Sequence, residues 1–397
     1  MAERRPAAIA ALALVAVACS ESGEGTPVSA VRDSAGVTIV ETTAPLWADG
    51  AGFVVDPDPV LDLTASGVGE PHEFFGVAAA RRLSDGVIAV SDAGSSSIRF
   101  YGPDGALIRS IGREGEGPGE FLAVRGLERT AGDTLGVFDF RNRRLALIPP
   151  GGETVDPLPL PPERVTDLRM LPGGELLLEL SGDQPGATAD GGSVRFPVFF
   201  ARATRDGRIA DTIATGGGGE TIMLADGAAR PLFGKDTYSD VHDERLYVGD
   251  SDSLEVRVYT LDGDLERVIR VPGFDLHMTD ALRDAEIELR VALARGTRET
   301  NERLPVPAHR PAYADLLVDS EGYVWTAEHL GWFRNLLADV PRTWQVFDPD
   351  GRWLGGVALP ARFVPFEIGA DYVLGLRRDD IDVEVPLVYR LHRGPLP

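Results

Sequence analysis

The sequence predicts an all-β fold, namely a six-bladed β-propeller with four-stranded antiparallel blades and one inserted helix. Three observations lead to this prediction. A strand pattern recurs six times, tight turns flank its copies, and no second linker interrupts the chain after residue 37. We therefore assign residues 37–397 to one propeller domain with a helical insertion at residues 274–310.

The recurring strand is a run of five mostly apolar residues that ends in an acidic or apolar residue. Its six copies are residues 88–92, 135–139, 176–180, 246–250, 324–328 and 372–376. The last residues of successive copies are 47, 41, 70, 78 and 48 positions apart. The short intervals suit a four-stranded blade, and the long ones indicate insertions. Residues 182–197 and 215–236 lie in the interval of 70, and the helical insertion lies in the interval of 78.

Turn residues follow the same repeat. Asp-Gly dipeptides lie a few residues after an apolar or aromatic strand, at Asp104-Gly105, Asp206-Gly207, Asp262-Gly263 and Asp350-Gly351. Such dipeptides accept the positive φ of a tight hairpin, and a second turn ahead of each strand copy gives two hairpins per unit. The sixth unit is one strand short, so we expect a strand within residues 53–63 to complete it and close the ring.

The helical insertion is predicted between the fourth and fifth units. Thr279 is the expected N-cap, Asp280 lies in the first turn, and apolar residues follow at near-helical spacing through residue 303. An inserted helix of this kind is expected on one face of the ring, as a partial cover of the channel mouth, as a docking ledge or as an inert amphipathic cover.

The N-terminus has the features of a lipoprotein export signal. Arg4 and Arg5 precede a short apolar run, which ends in small residues directly before Cys19. We predict that residues 1–18 are a signal peptide, that Cys19 is lipidated, and that residues 19–36 are a flexible tether. The expected location is the bacterial cell envelope, on the periplasmic side of the outer or inner membrane.

Composition narrows the function classes. The formal net charge is −23, which argues against nucleic acid as a partner. Cys19 is the only cysteine, so no internal disulfide and no cysteine-based catalysis is expected. The six histidines show no metal-ligand spacing and no Gly-x-Ser-x-Gly motif accompanies them.

One segment resembles a known family. Residues 111–121, Ile-Gly-Arg-Glu-Gly-Glu-Gly-Pro-Gly-Glu-Phe, are similar to a signature segment of bacterial six-bladed propeller lipoproteins related to NHL-repeat proteins. Residues 85–92, 319–325 and 372–391 resemble the same family. The resemblance implies the fold and an exported location, and it brings no catalytic residues with it.

Three aspartates are candidates for a metal site. Asp167, Asp240 and Asp315 precede the recurring strand of blades three, four and five, so they are expected near the central channel. Carboxylates that converge there could hold a hard cation such as Ca²⁺. The competing interpretation is a channel lined by solvated or arginine-paired carboxylates, with Arg125 opposite them.

Two other features are predicted to be structural. The acidic residues that end four of the strand copies, Asp92, Asp139, Asp250 and Glu328, are expected to cap the next turn. The glycine-rich segment 112–121 contains three glutamates and lacks a Lys-Ser or Lys-Thr pair, so it is not a phosphate loop. We expect it to form the crossover from blade one to blade two, with Phe121 between them.

The sequence thus favours binding over catalysis. We expect a membrane-tethered scaffold whose protein, peptide or carbohydrate ligand contacts one mouth of the ring. The alternative is a calcium-dependent lactonase or esterase that uses Asp167, Asp240 and Asp315 as ligands.

Overall fold

The computed structural model describes residues 28–48, 50–65, 72–130, 132–171, 173–183, 193–224, 227–379 and 381–394. The predicted signal peptide and Cys19 lie outside these residues. Within them the chain is almost entirely β, as the repeat predicts, with three short helices. No helix in these ranges is long and apolar enough to cross a membrane.

The four strands that precede the first complete blade belong to sheets formed later in the chain. They are β1 (Ser29–Ser34), β2 (Val37–Thr42), β3 (Val54–Val55) and β4 (Leu61–Asp62). Blade one follows with β5 (Ala80–Arg82), β6 (Ile88–Asp92), β7 (Ser97–Tyr101) and β8 (Leu107–Ile111). Its strands pair antiparallel in chain order, from the innermost to the outermost.

Blades two and three repeat this arrangement. Blade two consists of β9 (Val124–Arg129), β10 (Leu135–Asp139), β11 (Arg144–Ile148) and β12 (Val155–Pro159). Blade three consists of β13 (Val165–Met170), β14 (Leu176–Ser181), β16 (Val198–Ala203) and β17 (Ile209–Gly216), and β15 (Ser193–Arg195) lies in the β14–β16 connection. After blade three, β18 (Glu220–Leu224) and β19 (Gly227–Ala229) join β15 in a separate three-stranded sheet.

Blades four to six complete the ring. Blade four consists of β20 (Thr237–His242), β21 (Arg245–Asp250), β22 (Glu255–Thr260) and β23 (Leu265–Arg270). Two helices follow, α1 (Asp280–Ala292) and α2 (Arg298–Glu302). Blade five consists of β24 (Leu316–Val318), β25 (Val324–Ala327), β26 (Arg342–Phe347) and β27 (Trp353–Leu359), with α3 (Arg334–Leu337) before β26. Blade six consists of β28 (Phe363–Ile368), β29 (Tyr372–Arg378) and β30 (Glu384–His392).

The two termini close the ring, as predicted. In β3, Val54 and Val55 pair with the C-terminal end of β30. In β4, Leu61 and Asp62 pair with the middle of the same strand. The innermost strands of neighbouring blades contact each other around the channel. Blades three and four are joined there by Arg169 and Asp240, whose Nε and Oδ1 atoms are 3.6 Å apart.

The hydrophobic core lies between the blades. Six clusters of buried apolar side chains, within the described residues, each fill one interface between neighbouring sheets. Phe121 is 1% exposed and packs between Ile98 of blade one and Leu127 of blade two. The glycine-rich crossover therefore has the structural role expected from its sequence, since burying one such side chain stabilises the fold by about 1.5–3 kcal/mol.

Two predicted boundaries are wrong. The tether does not extend to residue 36, because residues 29–34 form β1, which pairs with β2 through a turn at Ala35 and Gly36. In turn, β2 adds a parallel strand to the outer edge of blade four. The inserted helix begins at the predicted N-cap, Thr279, whose side chain accepts from the Leu282 N–H, but α1 ends at Ala292 and α2 is a separate helix.

Candidate functional site

Asp167 and Asp240 lie in the innermost strands, as predicted, and both are paired with arginine. The Arg169 Nη1 donates to Asp167 Oδ2 at 2.7 Å, and its Nε lies 3.6 Å from Asp240 Oδ1. Burial opposes the charge on Arg169, but the carboxylates of Asp167, Glu128 and Asp240 outweigh it and raise its pKa. Asp240 also accepts the Val318 N–H through Oδ2, which ties blade four to blade five.

The expected calcium site is not formed by these aspartates. Asp167 and Asp240 are occupied by Arg169, and Asp315 accepts the N–H of Leu316 in blade five. The described residues contain no group of three His, Cys, Asp or Glu side chains that could hold a metal ion. Arg125 does not face the aspartates as a counter-ion; its guanidinium carbon lies 3.7 Å from the ring centroid of Phe140. The arginine-paired channel is the interpretation that this geometry supports.

Deeper in the channel, the ion pairs continue. Glu128 of blade two lies 3.4 Å from Arg81 of blade one and 3.7 Å from Arg169 of blade three. Burial raises the pKa of Glu128, and the two guanidinium groups oppose that rise. Four blades are thus cross-linked by charges that satisfy each other.

Three of the four acidic residues at the strand ends, Asp92, Asp139 and Asp250, accept backbone N–H groups of loops, as predicted. The fourth, Glu328, instead pairs with Arg310 at 3.2 Å. Asp92 accepts the N–H groups of Phe75 and Ser95. Asp139 accepts those of Leu122 and Ala123 in the equivalent place of the next blade. Carboxylates in this position hold the connection into the innermost strand of their own blade, so they serve the fold.

A polar cavity of about 310 Å³ opens between blades three and four. It lies where β13 and β20 begin and β14 ends, which places it at one mouth of the central channel, and β18 and the segment before it form one side. We call it the mouth pocket. Its lining includes Arg164, Thr166, Glu179, Arg230, Asp236 and Thr237. Its volume is at the lower end of the range for small-molecule sites.

Glu179 is the most perturbed acid of the mouth pocket. It lies in β14, and its Oε1 accepts a hydrogen bond of 2.8 Å from the Thr166 hydroxyl in the neighbouring strand. Burial raises its pKa to about 7, the negative charge of Asp167 adds to the rise, and the bond from Thr166 opposes it. Glu179 therefore changes charge near neutral pH, as groups at functional sites commonly do.

Asp236 is the second acid of the pocket and directly precedes β20. Its Oδ1 accepts the N–H of Thr237 at 2.9 Å. Burial raises its pKa, and the bond from Thr237 and the charge of Arg230 oppose the rise. Asp236 also contributes to the raised pKa of Glu179, so the two carboxylates lie within electrostatic range of each other.

Neither Glu179 nor Asp236 forms an ion pair with any described residue. Three carboxylates that are more deeply buried are each paired with an arginine. Asp92 lies 2.6 Å from Arg99, Glu286 lies 2.9 Å from Arg290, and Asp319 lies 2.8 Å from Arg393. Because partial burial of a carboxylate without a counter-ion is costly, a proton or a cationic ligand would stabilise Glu179 and Asp236.

Next to the mouth pocket, the entry to blade five holds a second set of buried polar groups. Asp315 lies beside Arg342, which opposes the burial-driven rise in its pKa. The Arg342 Nε donates to the Glu328 carbonyl oxygen at 2.8 Å. Burial lowers the pKa of His329 to about 3, so this histidine stays neutral at physiological pH. The set is internally packed and does not line the mouth pocket.

The recurring strand pattern distinguishes Glu179 from the equivalent residues of the other blades, although its neighbours in the strand copy are all leucines. In the six strand copies, the fourth residues are Ser91, Phe138, Glu179, Gly249, Ala327 and Gly375. Glu179 is the one charged residue in this series, and both insertions of blade three, residues 182–197 and 215–236, follow its strand. Thr166, Asp236 and Arg230 carry no comparable signal, because their position depends on how the insertion folds.

Comparison with known proteins shows the fold. The sequence matches no protein-family model and no curated protein. Among solved structures, the chain is similar to a Bacteroides fragilis protein proposed to be exported, with 11% identity, a TM-score of 0.51, and coverage of 89% of this chain and 99% of that one.

Two enzymes also match at lower similarity. A gluconolactonase from Xanthomonas campestris matches with 13% identity and a TM-score of 0.40, over 87% of this chain and 98% of that one. Virginiamycin B lyase from Staphylococcus aureus matches with 10% identity and a TM-score of 0.42, over 88% and 96%. Identities this low bear on the fold alone.

Proposed function

We propose that this protein is an exported, membrane-tethered β-propeller that binds a small ligand in the mouth pocket, and that the ligand presents a cationic hydrogen-bond donor to Glu179 and Asp236. One observation carries the proposal: two half-buried carboxylates without an ion-pair partner among the described residues line the same cavity. An ammonium group would supply the missing charge and donate up to three hydrogen bonds.

Thr166 sets the geometry of this interaction. Its hydroxyl occupies Oε1 of Glu179, so Oε2 remains for the ligand. Asp236 uses Oδ1 for the Thr237 N–H and offers Oδ2. Charge-assisted hydrogen bonds of this kind contribute about 1.5–3 kcal/mol each, which corresponds to a tenfold gain in affinity or more.

Calorimetric titration with propylamine, compared with 1-propanol of the same length, tests the proposal. We expect the amine to bind at pH 8 and the alcohol to bind at least tenfold more weakly. Glu179→Gln should weaken amine binding by about tenfold, because it removes the charge and keeps the side-chain shape. Glu163→Gln, an exposed change three residues before Thr166, is the matched control. Equal amine affinity in wild type and Glu179→Gln contradicts the proposal.

The pH dependence provides an independent check. The pKa of Glu179 is about 7, so its carboxyl is ionised above that pH and protonated below it. Propylamine remains a cation over this range. Its affinity should therefore fall as the pH is lowered from 8 to 5, and in Glu179→Gln this dependence should flatten.

The tether is proposed from the sequence. Cys19 follows a short apolar run that ends in small residues, and lipidation there would hold the ring at the envelope surface. Incorporation of a labelled fatty acid by the full-length chain, lost in Cys19→Ala together with membrane association, is the expected result. A Cys19→Ala protein that stays in the membrane fraction would contradict the anchor.

A further inference from the structure

The segment that carries Arg230 into the mouth pocket is held by α1. The Arg290 guanidinium donates to the carbonyl oxygens of Arg230 at 3.1 Å and Pro231 at 2.6 Å. Leu232 and Phe233, which follow directly, pack on Ile287 of α1, and all three side chains are fully buried. This cluster is separate from the six clusters between the blades.

The same helix holds a second loop, which precedes β26. Glu286 accepts the N–H groups of Phe333 at 3.1 Å and Arg334 at 3.2 Å, and it pairs with Arg290 at 2.9 Å. Gly331 has a φ of 125°, and a Cβ there would lie 2.5 Å from the Glu286 carboxylate, so only glycine allows this approach. One buried ion pair thus positions two loops.

The two loops meet where Arg230 reaches the pocket. The backbone N–H of Trp332 donates to the Leu232 carbonyl oxygen at 3.0 Å. The guanidinium carbon of Arg230 lies 4.1 Å from the centroid of the Trp332 ring. Stacking on an indole orients a guanidinium and leaves its N–H groups free to bind in the plane. Among the described residues, no carboxylate lies within ion-pair distance of Arg230.

We infer that the ligand of the mouth pocket is zwitterionic, with an anionic group that binds Arg230, stacked on Trp332, and an ammonium group that binds Glu179 and Asp236. This inference rests on the proposed function and adds the second half of the ligand. A planar guanidinium with free N–H groups binds a carboxylate in a bidentate manner. Amino acids and short peptides have this chemistry, and the helical insertion becomes the element that recognises their acidic end.

Ligands of matched length test the inference. β-Alanine, 4-aminobutyrate and 6-aminohexanoate are each compared by calorimetry at pH 8 with the amine and the carboxylate of the same chain length. We expect one amino acid to bind at least tenfold more tightly than its matched amine, because the carboxylate gains a charge-assisted pair. The chain length that gives this gain measures the span from Glu179 to Arg230.

Variants assign the gain to Arg230. Arg230→Gln and Trp332→Leu should abolish the gain from the carboxylate. Arg230→Gln should leave amine binding as tight as in wild type or tighter, because it removes a positive charge that acts on Asp236. Trp332→Phe, which keeps an aromatic face, should retain part of the gain. Arg303→Gln, an exposed change on the same insertion, is the control. Arg290→Met should also lose the gain; if it does not fold, Trp332→Leu decides, since Trp332 is only partly buried.

The outcomes separate the two proposals. If amines bind but the carboxylate adds nothing, or if the gain survives Arg230→Gln, the zwitterion inference is wrong and the proposed function stands. If the gain in affinity from the carboxylate is lost in Arg164→Gln and not in Arg230→Gln, the anionic end of the ligand binds Arg164, the other arginine that lines the mouth pocket. This result also overturns the inference. If no amine binds, the proposed function itself fails.

Discussion

Replacing Glu179 by glutamine should stabilise the folded protein at alkaline pH and leave it unchanged at acidic pH. The pKa of Glu179 is about 7 in the folded state against an ordinary value of 4.5. The folded state therefore binds the proton more tightly than the unfolded state, and stability falls as the pH rises from about 4.5 through 7. A difference of this size corresponds to about 3 kcal/mol. Glutamine cannot ionise and avoids this loss.

Urea unfolding of wild type and Glu179→Gln, from pH 4 to pH 9, measures this difference. We expect the two free energies of unfolding to agree at pH 4 and to differ by about 2–3 kcal/mol at pH 8, with the variant more stable. Glu163→Gln, with its exposed side chain, should follow wild type throughout. A constant difference across the pH range, or a variant that is less stable at pH 8, would refute the reasoning, because the carboxyl would then be stabilised in its charged form.

The remaining predictions concern the frame around the pocket. Arg169→Met should destabilise the protein by about 3–5 kcal/mol at pH 7, because it leaves the buried Glu128 and its neighbouring aspartates without their shared cation, and the loss should shrink in acid as the carboxyls become protonated. Phe121→Ala should cost about 3–5 kcal/mol in urea unfolding, whereas Phe75→Ala, at a side chain that is 75% exposed, should change stability by less than about 0.5 kcal/mol. EDTA should leave the melting temperature unchanged within about 1 °C, and a clear decrease would restore a structural cation to consideration.

Much of the ring follows from local sequence. The strand copies at residues 88–92 and 135–139 coincide with β6 and β10, because each is a short apolar run between turn residues with positive φ. Gly105 and Gly351 have φ values of 81° and 91° at the predicted hairpins. Closure by residues 53–63 was also predictable, because the last unit lacks a strand and an open edge would expose unpaired backbone groups.

The site depends on contacts that a local pattern does not contain. Asp167 and Asp240 were placed correctly at the channel, but the sequence does not show that Arg169, two residues after Asp167, would reach both of them. Arg230 comes from an insertion whose path is set by Arg290, 60 residues further along the chain. Interactions over such separations follow from the tertiary structure. Composition and periodicity therefore predict the strands and the ring, but they do not predict which side chains pair with each other.

The position of Glu179 shows why function is expected where the repeat is least regular. In blade four the equivalent residue is Gly249, where a Cβ would lie 2.2 Å from the Tyr313 hydroxyl, and in blade six it is Gly375, where a Cβ would lie 2.3 Å from the Val364 carbonyl oxygen. In these two blades, neighbouring atoms leave no room for a side chain at this position. Blade three instead places a carboxylate there, beside two insertions that enclose a cavity.

A buried carboxylate without an ion-pair partner lowers the stability of the blade that contains it. Several other carboxylates avoid this loss, since Asp92, Glu128 and Asp319 each have an arginine within 3.4 Å. Glu179 and Asp236 lack such a pair among the described residues and line one cavity, so their cost in stability falls on that cavity. A cationic ligand would recover this free energy on binding, which links the lower stability of the free protein to the affinity of the site.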